Sequence, residues 1–174
     1  MRESFDQNCC LEFLPFNTEL IQFFTLLCFC YLKATGVSVD DSVSDAFQQF
    51  KLKKGDYNLN YMTFKIKDKK NIVIDQMGGQ DKSYQDFCEC LPENEGRYGI
   101  VDISFETDDG RSTSKLVFIS WNPDTSPIRS KMLYSGSKEA IKSTLAGVGI
   151  HINATDFSEL DFESSILPTV KKFA

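Results

Sequence analysis

Residues 121–142 read WNPDTSPIRSKMLYSGSKEAIK, and this stretch decides the fold. Trp121 closes an apolar run, and Pro123-Asp124-Thr125 carries the chain away from it. Ser126-Pro127 has the form of a helix start, with Ser placed to cap and Pro at the first helical position. Ile128 and Met132 sit four apart, a spacing that Ala140/Thr144 and Ile141/Leu145 repeat. The two stripes are out of phase. This predicts a kink near Ser135-Gly136-Ser137, where helix propensity is weakest. The segment is also basic, with Arg129, Lys131, Lys138 and Lys142 against one acid after Asp124, Glu139. On a helix, Lys131, Lys138 and Lys142 share a face. Apolar Met132 and Leu133 among such charges are the pattern of a partner-binding element.

This basic helix lies in an acidic chain. The protein has 174 residues, 19 Lys+Arg against 25 Asp+Glu, and a net charge of −6. That balance gives no support for nucleic-acid binding. At 41% apolar and 25% charged residues, the chain is neither a coiled coil nor low-complexity disorder, and its length supports one domain with a real core.

Upstream of the quoted stretch, Leu116 to Ile119 is apolar at every position, as in a central strand covered on both sides. Lys115 to Trp121 and Tyr98 to Phe105 therefore pair as strands around a turn at Asp108-Asp109-Gly110. Met62, Phe64 and Ile66 alternate with polar residues, and Ile72 to Ile74 answers them across a turn at Asp68 to Asn71. Residues 75–83 read as a loop around Gly78-Gly79, followed by a short helix from Tyr84 to Leu91. Val39, Val43, Ala46, Phe47 and Phe50 recur at helical spacing behind a capping-box pattern at Ser38 and Asp41. After the long helix, a strand from Gly149 to Ala154 and a helix from Asp161 to Phe173 close the chain. The order predicts an α/β protein of the α+β type, one mixed sheet with helices on both faces.

The first 34 residues are of another kind. They hold four of six cysteines and six of fifteen phenylalanines, and no glycine. Leu20 to Leu32 is too short for a membrane span, which needs about 20 residues. Glu3, Asp6, Glu12 and Glu19 against Arg2 do not make a signal leader. Two readings stand for residues 1–33: an apolar, Cys-rich extension that docks on the domain, or a start placed too far upstream. The second is preferred. No stable membrane insertion is expected, and free cysteines fit a reducing compartment.

Catalysis finds no footing. Phosphate-binding glycine loops are missing, and Cys28/Cys30 and Cys88/Cys90 have Cys-x-Cys rather than zinc spacing. His151, the single histidine, falls in an expected edge strand with no motif around it. No enzyme activity, metal or cofactor is expected.

Residues 121–134, WNPDTSPIRSKMLY, resemble the signature of the cofilin and actin-depolymerizing-factor (ADF) family. Gly36 to Val39, Leu91 to Asn94 and Ala154 to Leu160 agree with it, so the resemblance covers residues 34–174. It implies a single ADF-homology domain over that range and a cytoplasmic protein of the actin cytoskeleton. The implied activity is binding of actin monomers and filaments, with preference for the ADP form, and severing and depolymerisation of filaments. The alternative is a filament side-binder with little severing. The resemblance assigns actin contacts to Gly36, Val37, Arg129, Lys131, Met132, Lys138, Glu139 and Lys142, and filament contacts to Lys115 and Lys172. Thr35 stands where members carry a regulatory phosphoserine, and phosphoinositide headgroups are implied inhibitors. Residues 167–172, LPTVKK, keep little of the charge usual in the last helix, and Pro168 is expected to disturb it.

Overall fold

The computed structural model describes residues 36–53, 58–107 and 110–173. The expectations for residues 1–33 and Thr35, and the acids of the expected 108–110 turn, lie outside these ranges.

The chain order is β1 (Ser38–Val39), α1 (Asp41–Lys51), β2 (Leu59–Lys67), β3 (Asn71–Gly79), α2 (Tyr84–Glu89), β4 (Arg97–Glu106), β5 (Ser112–Trp121), α3 (Ile128–Thr144) and β6 (Ile150–Ala154). A 3-10 turn (Phe157–Leu160), a π-turn (Phe162–Ile166) and α4 (Leu167–Lys171) follow. The six strands form one sheet in the order β1-β3-β2-β4-β5-β6. The edge strands β1 and β6 pair in parallel and the central pairings are antiparallel, which makes the sheet mixed.

Strand alternation divides the interior in two. Phe64, Ile100 and Phe118 join Phe47 and Phe50 of α1 and Tyr134 and Ile141 of α3 on one face. Val101, Val117 and Ile119 join Phe87 of α2 and Ile166 and Val170 of the C-terminal segment on the other. Helices therefore cover both faces, and β5 is buried from both sides as its unbroken apolar run requires.

Several local expectations are corrected. The N-cap of α1 is Asp40, whose carboxylate accepts from the Ser42 amide, and not a Ser38/Asp41 box. The 75–83 loop is mostly strand, since β3 runs through Gly79. The glycines there serve close packing: a Cβ at Gly78 would collide with the Tyr61 ring. The turn after Lys67 does form, with Asp68 and Lys69 at φ 54° and 58°, the left-handed pair that suits a tight hairpin.

The expected kink in α3 does not interrupt it, for the helix is continuous from Ile128 to Thr144. The stripes are out of phase because they face opposite ways. Thirteen residues on a straight helix rotate a side chain to about 140° from its starting direction. Ile141 is fully buried, whereas Ile128 is 77% and Met132 70% exposed. Ser126 does not cap the helix; its hydroxyl donates to the Pro123 carbonyl at 2.8 Å, and Pro127 occupies the N-cap without a side-chain bond.

The single closing helix expected from Asp161 to Phe173 is two pieces. A π-turn precedes α4, and its wider hydrogen-bonding accommodates Pro168 near the start of α4, where a missing amide costs least. The closing strand begins at Ile150.

Candidate functional site

The geometry of the site begins at Trp121. Its indole N–H donates to the Pro92 carbonyl at 2.7 Å, and the Thr125 hydroxyl donates to the Glu93 carbonyl. The Asn122 and Asp124 amides continue the pairing with β6, donating to the Ala154 and Thr155 carbonyls at 2.9 and 3.2 Å. With Ser126 bonded to Pro123, residues 121–127 are held from several directions. They aim the first turn of α3 outward.

Within α3, the buried side is Tyr134, Ser137 and Ile141. The Tyr98 hydroxyl donates to the Tyr134 carbonyl at 2.5 Å and contacts Ser137 Oγ at 2.8 Å, and the Tyr134 hydroxyl accepts from the Ile66 amide at 3.1 Å. These bonds set the rotation of the helix about its axis. The outer side consequently presents Ile128 and Met132 in its first two turns.

Charges rim this apolar centre. Lys131, Lys138 and Lys142 fall within about 40° of one another around the axis. Lys131 Nζ donates to Asp124 at 2.8 Å, Lys138 Nζ to the Asn153 side-chain oxygen at 3.3 Å, and Lys142 Nζ to Glu139 at 3.2 Å. The exposed Arg129 lies on the opposite flank of Ile128 and makes no ion pair among the described residues. The lysine flank borders β6. His151 there has its pKa lowered, first by burial and then by the positive charge of Lys142 and Lys138, against the opposing effect of Glu139.

A second charge network supports the Arg129 flank. β3 carries a bulge, for Thr63 pairs with Gln76 and Phe64 with Ile74, leaving Asp75 between them. The Asp75 carboxylate meets Lys65 at 2.5 Å and Arg97 Nε at 3.0 Å, and Arg97 Nη1 reaches Glu95 at 2.9 Å. Burial alone would raise the Asp75 pKa. The Lys65 bond and the charges of Arg97 and Lys65 outweigh it and hold the carboxyl below its usual value.

The structure thus brings Arg129, Lys131, Met132, Lys138, Glu139 and Lys142 onto one exposed helix side. Gly36 is exposed at φ 68°, next to β1, which lies against α3; the Val37 side chain packs into the first core. Lys115 and Lys172 belong elsewhere. Lys115 is near the start of β5, about 20 Å along the strand from Trp121, and Lys172 is exposed just after α4. Sequence reasoning missed Ile128 as an outward residue, although its phase against Ile141 was the available signal. Asn153 and Asp75 were invisible because their partners, Lys138 and Arg97, are distant in sequence. Among the described residues no cluster of three or more His, Cys, Asp or Glu is arranged to hold a metal ion. No helix among them is long and apolar enough to cross a membrane.

An exposed apolar pair ringed by cations can dock on a protein surface but offers no nucleophile and base in contact. The comparisons point the same way. The sequence model of a family described as cofilin/tropomyosin-type actin-binding protein matches residues 36–167. An actin-depolymerizing factor of Lilium longiflorum is 41% identical over 131 residues, covering 75% of this chain and 92% of the lily protein. A cofilin of Schizosaccharomyces pombe is 39% identical over 138 residues, 79% of this chain and 98% of its own. The crystal structure of Streptomyces griseoflavus cofilin superposes with a TM-score of 0.71 at 32% identity, covering 79% of this chain and 98% of that one.

Proposed function

The chain belongs to the cofilin and actin-depolymerizing-factor family, a family of actin-binding proteins and not of enzymes, and from that premise we propose that it binds actin through the outer side of α3. The observation that carries this reading is the exposure of Ile128 and Met132 within the rim of Arg129, Lys131, Lys138 and Lys142. The apolar pair supplies burial energy once a partner covers it, and the cations supply orientation and encounter rate. Glu139 and Gly36 complete the contact, with Val37 acting through its backbone.

The proposed partner is actin as monomer and filament, with the ADP form preferred, in the cytoplasm. Lys115 and Lys172 form a second contact used only on filaments, and engagement of both surfaces severs and depolymerises. Phosphoinositide headgroups compete for the α3 lysines. A phosphate on Thr35 would place about two negative charges beside Gly36 and oppose binding. The ADF-homology domain is taken as residues 34–174, with residues 1–33 an extension or an upstream start.

A second reading, side-binding without severing, is favoured by one feature. α4 is a five-residue helix, LPTVK, whose lysine and its neighbour Lys172 are the only charges there. Single-filament imaging separates the two: rapid fragmentation establishes severing, and decoration without breaks establishes side-binding. The site itself is tested by Arg129→Ala with Lys131→Ala. That variant should lose most binding in both monomer titration and filament co-sedimentation, and unchanged binding in both would remove α3 as the contact.

A further inference from the structure

On the Arg129 flank of α3 lies a cleft of about 710 Å³ that shares only Arg129 with the docking face. Its walls come from β2, the β2–β3 turn, the residues entering β4, and the first turns of α3. Ile66, Leu133 and the Tyr134 ring give it an apolar floor. Four cations converge on it: Lys65, Lys69, Arg97 and Arg129. Glu95 is its one acid, and Arg97 already holds it at 2.9 Å.

The electrostatic balance of these groups is uneven. Lys65 and Arg97 share Asp75, and Glu95 also pairs with Arg97, so these two cations are answered by two carboxylates. Arg97 is mostly buried, bonded to Asp75, Glu95 and the Gly96 carbonyl, with its guanidinium beside the Tyr134 hydroxyl. Lys69, fixed at φ 58° in the tight turn, and Arg129 have no ion-pair partner among the described residues. The first turn of α3, which lines the same cleft, has no side-chain cap. Positive charge therefore exceeds negative at the walls, over a floor of aliphatic and aromatic carbon. The volume is within the range of small-molecule sites, about 300–1,000 Å³.

We propose that this cleft binds a small amphipathic anion, a phosphate or sulfonate carried on a flat apolar body. The anionic group sits between Arg129 and Lys69, with the charge of Arg97 behind it, and the flat body lies on Leu133 and Tyr134. Lys65 remains with Asp75 and adds charge at the wall. The ligand occupies Arg129, so it also weakens docking on α3. That consequence rests on the actin reading, whereas binding of the anion does not.

The test uses 8-anilinonaphthalene-1-sulfonate (ANS) with the full chain. Fluorescence titration should show saturable binding, and amide chemical-shift changes should fall on Ile66, Arg97 and Leu133. Lys69→Ala with Arg129→Ala should weaken ANS binding about tenfold. Lys69→Ala alone should weaken it while leaving actin binding intact, which separates this site from the docking face. Lys172→Ala should leave ANS binding unchanged. Thermal melting of each variant checks that the fold is kept. Displacement of ANS by adenosine monophosphate identifies a soluble phosphate ligand, and displacement by inositol trisphosphate alone identifies a headgroup; either supports the site. Absence of saturable binding, shifts away from the cleft, or unchanged affinity in the folded double variant overturns the proposal.

Discussion

Met132→Ala separates docking from folding in one helix. Met132 is 70% exposed in the free protein, so truncation removes little that the fold has buried. Its stability effect should lie within about 0.5 kcal/mol. When a partner covers the side chain, the balance reverses. Burying a Met side chain contributes about 1.5–3 kcal/mol, of which Ala keeps only a methyl. The loss in binding is then about 2 kcal/mol, roughly thirtyfold in Kd. Ile141→Ala is the mirror case. Ile141 is fully buried on the same helix, and its truncation should cost about 2–5 kcal/mol of stability. That corresponds to a fall in Tm on the order of 10 °C. At temperatures where Ile141→Ala is folded, its actin affinity should stay near that of the parent. The assays are titration of fluorescently labelled ADP-actin monomers and chemical denaturation of each variant. Wild-type affinity in Met132→Ala would place the docking surface elsewhere. A stability loss above about 1 kcal/mol in Met132→Ala would contradict the rotation of α3 described above.

Two further perturbations test what holds that helix and its supporting hairpin. Tyr98→Phe removes a buried hydroxyl that donates to the Tyr134 carbonyl and contacts Ser137, and should cost about 1–3 kcal/mol in calorimetry; an unchanged Tm would dismiss the bond as an anchor. Asp75 has a folded pKa below its unfolded value, so its stabilising contribution is complete above the unfolded value and is lost as pH falls through the folded one. Asp75→Asn should therefore lower stability at neutral pH and flatten the decline below about pH 5, and parallel pH profiles for variant and parent would refute the Lys65–Asp75–Arg97 assignment.

Most of the architecture was legible in linear patterns. The change from helical to alternating spacing after Phe50 marked α1 and β2. The fully apolar 116–119 run marked the strand with helices on both sides. The 121–134 signature marked the start of α3 and the cations it carries. The failures were local and share a cause. Gly78-Gly79 resembled a loop because a sequence does not reveal that the Tyr61 ring needs the space of a missing Cβ at Gly78. Ser126 resembled a cap because its alternative acceptor, the Pro123 carbonyl, becomes available only in the folded loop. Pro168 suggested a disturbed helix, and the disturbance took the form of the π-turn before it.

By itself the sequence determined which residues carry charge and apolar surface, and at what spacing along α3. Spacing sets the angles between side chains around a helix because backbone hydrogen bonding fixes the turn. It does not set which angle faces solvent. That choice belongs to the tertiary structure, where Tyr98 grips the helix through Tyr134 and Ser137 and the core takes Ile141, leaving Ile128 and Met132 outside. The cleft beside Arg129 is tertiary in the same sense. Its cations come from a strand, a turn, a second strand and a helix, residues brought together only when the sheet and α3 pack.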